Sequence, residues 1–105
     1  MPFPEEFDGP RDYNGHGSHT ASTAAGANGV TATINGVVVG QASGMAPAAR
    51  LAIYKVLWET ATHTSGSGTT AGIVAAINDA VSDGVDVINY SISGSSQYIV
   101  SPEVL

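Results

Sequence analysis

The chain has 105 residues, 43% of them hydrophobic, with 13 glycines and no cysteine. This length bounds it at one domain, burying roughly 65% of its unfolded surface. Three basic residues, Arg11, Arg50 and Lys55, stand against nine acidic ones for a net charge of −6. That balance excludes nucleic acid and anionic membranes as partners, since both require clustered Lys and Arg. The absence of cysteine removes disulfides, thiolate nucleophiles and Cys-based metal sites. No apolar run approaches the ~20 residues of a membrane span. Residues 1–7 lack the basic start and apolar core of a secretory signal.

Residues 1–15, with three prolines and several acidic side chains, read as an irregular lead-in to a single folded segment, 16–105. A helix is expected over residues 17–25, in the run Gly17-Ser-His-Thr-Ala-Ser-Thr-Ala-Ala25. Its small side chains suit a buried, closely packed helix, and Gly26 stops it. Val30 to Ile34, Asn35-Gly36 and Val37 to Val39 form a hairpin signal, because Asn-Gly accepts the positive φ angles of a type I′ turn.

Residues 50–57 read as a largely buried strand. Residues 70–82 read as a helix with Ile73, Ile77, Ala80 and Val81 on one face, Thr69 or Thr70 as N-cap and Gly84 as its stop. Residues 85–92 read as a second strand. Strand, helix and strand within about forty residues make a βαβ unit, so the two strands are expected parallel with a right-handed crossover. The class is α/β, and two such strands plus a hairpin give a thin core, as of a piece from a larger domain.

The chemistry centres on Asn14-Gly-His-Gly-Ser-His-Thr-Ala-Ser-Thr-Ala-Ala-Gly26. His16 between glycines at the head of a small-residue helix has the placement a general base needs, since proton transfer works only within hydrogen-bonding reach. The block resembles the histidine motif of the subtilisin-like serine proteases, with Ser18 where threonine is usual. Gly44-Met-Ala-Pro47, the stretch from Ala49 to Leu57, Gly66-Ser-Gly68 and the stretch from Val85 to Gly94 follow in that family's order, so the resemblance covers roughly residues 10–95.

The resemblance implies a partial subtilisin-like three-layer fold and a serine endopeptidase using a Ser-His-Asp triad, with His16 as its general base. It implies that Gly66, Ser67 and Gly68 pair with the backbone of a polypeptide substrate. Ser91, Ile92 and Ser93 would form the facing segment and part of the first specificity pocket. Ser93 stands where glycine is commoner. The ten residues 58–67 lengthen the connection beyond that of compact bacterial members.

The family's Asp-Thr-Gly or Asp-Ser-Gly motif and its Gly-Thr-Ser-Met-Ala nucleophile motif do not occur here. Asp12 matches a loop position, and Asn89 does not match the oxyanion asparagine. The chain is therefore expected to be inactive alone and, with sheet edges exposed, to self-associate. Family members are mostly exported, which implies an extracellular or cell-envelope location, and are often calcium-stabilised. No cofactor and no acidic calcium cluster are expected in this segment. The alternative is a non-catalytic module on the same scaffold that binds peptides or a partner chain.

Two other signals compete. His16-x-x-His19 could begin a zinc site, but there is no His-Glu-x-x-His arrangement and no cysteine, and the only other histidine, His63, lies in a loop-like stretch; His19 reads instead as a structural residue hydrogen-bonded inside the domain. Gly66-Ser-Gly-Thr-Thr-Ala71, with Asp86 twenty residues after Gly66, formally matches a dinucleotide fingerprint. Residues 58–65 nevertheless separate those glycines from the preceding strand, and Asp86 sits at the wrong end of the next one.

Overall fold

The computed structural model describes Glu6, residues 8–61 and residues 66–93. His63, most of the 60–65 connection, Gly94 and most of residues 1–7 lie outside the described residues. The chain divides into two compact units. One is Gly15–Leu51, and the other comprises the described residues of 1–14 and 52–105.

The unit Gly15–Leu51 contains a helix and a hairpin. Helix α1, His16–Ala25, starts from Gly15, whose φ of 100° suits glycine and which provides no side-chain cap. No α1 residue is fully buried in this chain, whose sequence reads as a piece from a larger domain. Its Ala, Ser and Thr side chains remove too little apolar area to define a core. The hydroxyls instead bond back along the helix, Thr20 Oγ1 to the Gly17 carbonyl at 3.1 Å and Thr23 Oγ1 to the His19 carbonyl at 2.8 Å.

Strands β1, Val30–Ile34, and β2, Val37–Ala42, pair antiparallel. Asn35 (φ 49°) and Gly36 (φ 79°) make the expected tight turn. The register places Ile34 opposite Val37 and Thr33 opposite Val38, then jumps to Ala32 opposite Gly40, so Val39 is the extra residue of a bulge.

In the second unit, helix α2, Thr70–Asp83, is capped at both ends. The Gly72 N–H donates to Thr69 Oγ1 at 3.0 Å. At the other end Gly84 (φ 78°) donates to the Val81 carbonyl, and Val85 to that of Ala80, the paired bonds of a Schellman motif. Ile73 (7% exposed) and Ala80 (4%) are the buried apolar residues, with Ile77 half-buried. Val81, expected on the same face, is 67% exposed; it lies one residue round the helix from Ala80, about 100° away.

The helices and hairpin fit a partial α/β domain, and the expected parallel βαβ pairing is not seen among the described residues. Residues 50–57 and 85–93 carry neither helix nor strand. Both ladders among the described residues are antiparallel, and the second joins the two-residue strands β3, Trp58–Glu59, and β4, Gly66–Ser67. A strand exists through its lateral hydrogen bonds. Residues 58–59 pair with 66–67, and neither 50–57 nor 85–92 has a ladder partner among the described residues.

Candidate active site

His16 is the first residue of α1, exposed, and followed by Gly17. The helix beneath it is closed at its head by the His19 N–H donating to the Gly15 carbonyl at 3.0 Å. At its tail, residues 44–46 supply what the last turn lacks. Gly44, Met45 and Ala46 donate to the carbonyls of Gly26, Thr23 and Ala24 at 3.0, 3.0 and 2.8 Å. Gly44 is buried, and a Cβ there would collide with the Gly26 nitrogen and the Ala25 backbone. This contact explains the Gly44-Met-Ala sequence: only glycine lets the chain come close enough to cap the histidine helix.

His19, expected inside the domain, is exposed. Its carbonyl accepts from both Ser22 Oγ and Thr23 Oγ1. Among the described residues no group of three or more His, Asp or Glu gathers as a metal site would require.

Gly66 and Ser67 form β4, which pairs with β3 on one side and is an edge of that two-stranded sheet. Gly68 follows in irregular chain. A Cβ on Gly68 would press on the Val56 carbonyl, and one on Gly66 would stand 3.1 Å from Leu57 Cβ. Both glycines therefore serve close backbone approach to residues 56–57 rather than phosphate binding. Thr69 caps α2 directly after them, and no parallel strand precedes the turn among the described residues, so the dinucleotide reading has no support.

Ser91, Ile92 and Ser93 lie in the same unit as Gly66–Ser67. Ser91 and Ser93 are exposed, and Ile92 is half-buried. Ser91 Oγ accepts a hydrogen bond from Asn89 Nδ2 at 3.0 Å. Among the described residues no backbone hydrogen bond links 66–68 to 91–93.

A polar cluster that sequence reasoning missed lies in this unit. Glu6 (7% exposed) accepts from Lys55 Nζ at 2.8 Å and from the Glu59 N–H at 2.9 Å. Glu59 (6% exposed) accepts from Asn14 Nδ2 at 2.8 Å, and Lys55 also donates to the Arg11 carbonyl at 2.7 Å. The partners stand 44 to 53 residues apart, and no local pattern announces such pairs. On the same unit Tyr54 Oη donates to Asp83 Oδ2 at 2.5 Å, and this bond raises the tyrosine pKa.

Among the described residues no helix is long and apolar enough to cross a membrane. A family model, described as the subtilase family, matches residues 2–102. The chain is 47% identical over 91 residues to the subtilisin-like protease SBT2.6 of Arabidopsis thaliana, a match covering 87% of this chain and 10% of that protein. It is 48% identical over 101 residues to SBT1.6 of the same plant, covering 92% of this chain and 13% of that protein. With SBT2.1, also from Arabidopsis thaliana, identity is 50% over 84 residues, covering 80% and 10%. The chain thus spans about a tenth of the length of these curated relatives. No solved structure matches it. With nearly the whole chain matched, it belongs to the subtilase family, a family of serine peptidases.

Proposed function

We propose that this chain is the histidine-bearing segment of the catalytic domain of a longer serine endopeptidase. His16 is the general base. It takes the proton of a serine hydroxyl as that oxygen attacks the peptide carbonyl, then returns it to the leaving amine. The serine and the aspartate of the triad come from other parts of the longer protein, so this chain is inactive by itself. The observation that carries the reading is His16 at the head of a helix whose tail is tied by residues 44–46, within a chain matched to subtilases over residues 2–102.

Gly66, Ser67 and Gly68 are one edge of the substrate cleft, and Ser91, Ile92 and Ser93 the facing one. The support is that, among the described residues, β4 pairs on one side only. An extended polypeptide can add to such an edge through main-chain hydrogen bonds. The location that goes with this reading is extracellular or the cell envelope.

A fluorogenic peptide assay tests the proposal in two preparations. The isolated 105-residue chain is expected to show no turnover. A full-length subtilase carrying this segment is expected to lose on the order of 10⁴-fold or more in kcat on His16→Ala. Full activity in that variant would overturn the assignment. The second reading, a non-catalytic peptide- or partner-binding module, is favoured by the exposed apolar hairpin, where Ile34, Val37 and Val38 are each more than 60% exposed. A full-length protein that binds peptides without cleaving them would establish it.

A further inference from the structure

Residues 89–93 alternate in exposure. Asn89, Ser91 and Ser93 are exposed, while Tyr90 and Ile92 between them are half-buried. The odd-numbered residues are thus the solvent-facing side of this short segment, which forms no strand. On that side Asn89 Nδ2 donates to Ser91 Oγ at 3.0 Å, within the ordinary range for a hydrogen bond. Asn89 lies in the 85–94 stretch without having been given a role there, and its amide donates to the first residue of the segment assigned to the cleft.

We infer that Asn89 is a positioning residue for substrate binding, holding Ser91 through its side-chain amide. The inference rests on the assignment of 91–93 to the cleft. An exposed serine hydroxyl rotates among three staggered positions. With its oxygen accepting from Asn89, one of them is selected and its proton is turned away from the amide. The serine side chain and the backbone that carries it are then set before a substrate arrives, which lowers the ordering cost of pairing a peptide against this segment. The effect falls on binding, because the amide touches no reacting atom.

The test is a double-mutant cycle in a full-length subtilase carrying this segment, with KM and kcat measured on one peptide substrate. Asn89→Ala and Ser91→Ala are each expected to raise KM about fivefold, with kcat changed less than about twofold. Fivefold is roughly the factor that a hydrogen bond of about 1 kcal/mol supplies. The double variant is expected to be no worse than either single one. Asn89→Asp, whose carboxylate can accept from the Ser91 hydroxyl, is expected to recover most of the loss.

A merely structural role would lower the active fraction, so that apparent kcat falls at unchanged KM and the two losses add; that result overturns the inference. So does unchanged KM in Asn89→Ala. Asn89-Tyr-Ser91 is also an Asn-x-Ser glycan acceptor sequence. An intact mass showing a glycan on Asn89 would place the residue outside the cleft and overturn the inference as well. His16→Ala keeps the two levels apart: activity surviving in that variant defeats the protease assignment, whereas an inactive His16→Ala beside an unaffected Asn89→Ala defeats only the positioning role.

Discussion

Glu6 shows how a residue in a proline-rich lead-in becomes part of a folded unit. Burial by itself raises its pKa. The hydrogen bond from Lys55, the Glu59 N–H and the Lys55 charge together outweigh that effect and hold the carboxyl below its ordinary 4.5. A carboxyl whose folded pKa is lowered binds fewer protons in the folded chain than in the unfolded one. Its stabilisation is therefore complete above the ordinary carboxylate range and lost as pH falls through the folded pKa. Trp58, the single tryptophan, lies in the same unit, and its fluorescence can follow unfolding there. The urea midpoint is expected to drop as pH is lowered below about 4.5. Glu6→Gln is expected to have a lower midpoint at pH 7 and a flatter acid dependence. An unchanged acid slope in that variant would show that Glu6 is not the linked group.

Elements were legible in the sequence to the extent that their causes are local. Asn35-Gly36 supplied its own turn, and Thr69 and Gly84 bracketed α2 from within three residues of its ends. Residues 50–57 and 85–92 are apolar enough to read as strands, yet pairing is a property of two segments, and among the described residues only β1 with β2 and β3 with β4 achieve it. The same limit applies to the site. His16 and Gly66-Ser-Gly68 stand out in the sequence, whereas Glu59 and its Asn14 bond connect residues 45 apart. The Asn89–Ser91 bond spans only two residues and was within reach of a search for local Asn-to-Ser pairs. The hairpin carries its own prediction. Gly36 has φ 79°, and a Cβ added there would meet no atom within 4 Å, so Gly36→Ala tests backbone strain without a clash. The variant is expected to destabilise the hairpin by roughly 1–2 kcal/mol. Cross-strand amide contacts between Ile34 and Val37 should weaken by NMR; contacts of wild-type strength would contradict the turn's dependence on glycine.

At the scale of the whole chain, apolar surface remains where a closed domain would hide it. Val30, Ile34, Val37, Val38 and Val39 are all more than half exposed on a two-stranded ribbon, and Ile73 and Ala80 make up the buried apolar core of the described residues. A ribbon of two strands has two open edges, each a row of N–H and C=O groups able to pair with another chain. Isolated two-stranded hairpins are marginal in water, so covering this one with a second copy gains both hydrogen bonds and apolar burial. The net charge of −6 opposes association, but over distances beyond about 8 Å it is screened at physiological salt. We therefore propose that the 105-residue chain self-associates through the hairpin rather than through residues 50–57 and 85–92, which form no strands. Light scattering over a concentration series should show mass rising with concentration, more steeply as salt is added. Val38→Lys, which puts a charge on the ribbon's apolar surface, should shift the distribution toward monomer. A monodisperse monomer at high concentration, melting cooperatively, would refute the idea and show that so small a core suffices.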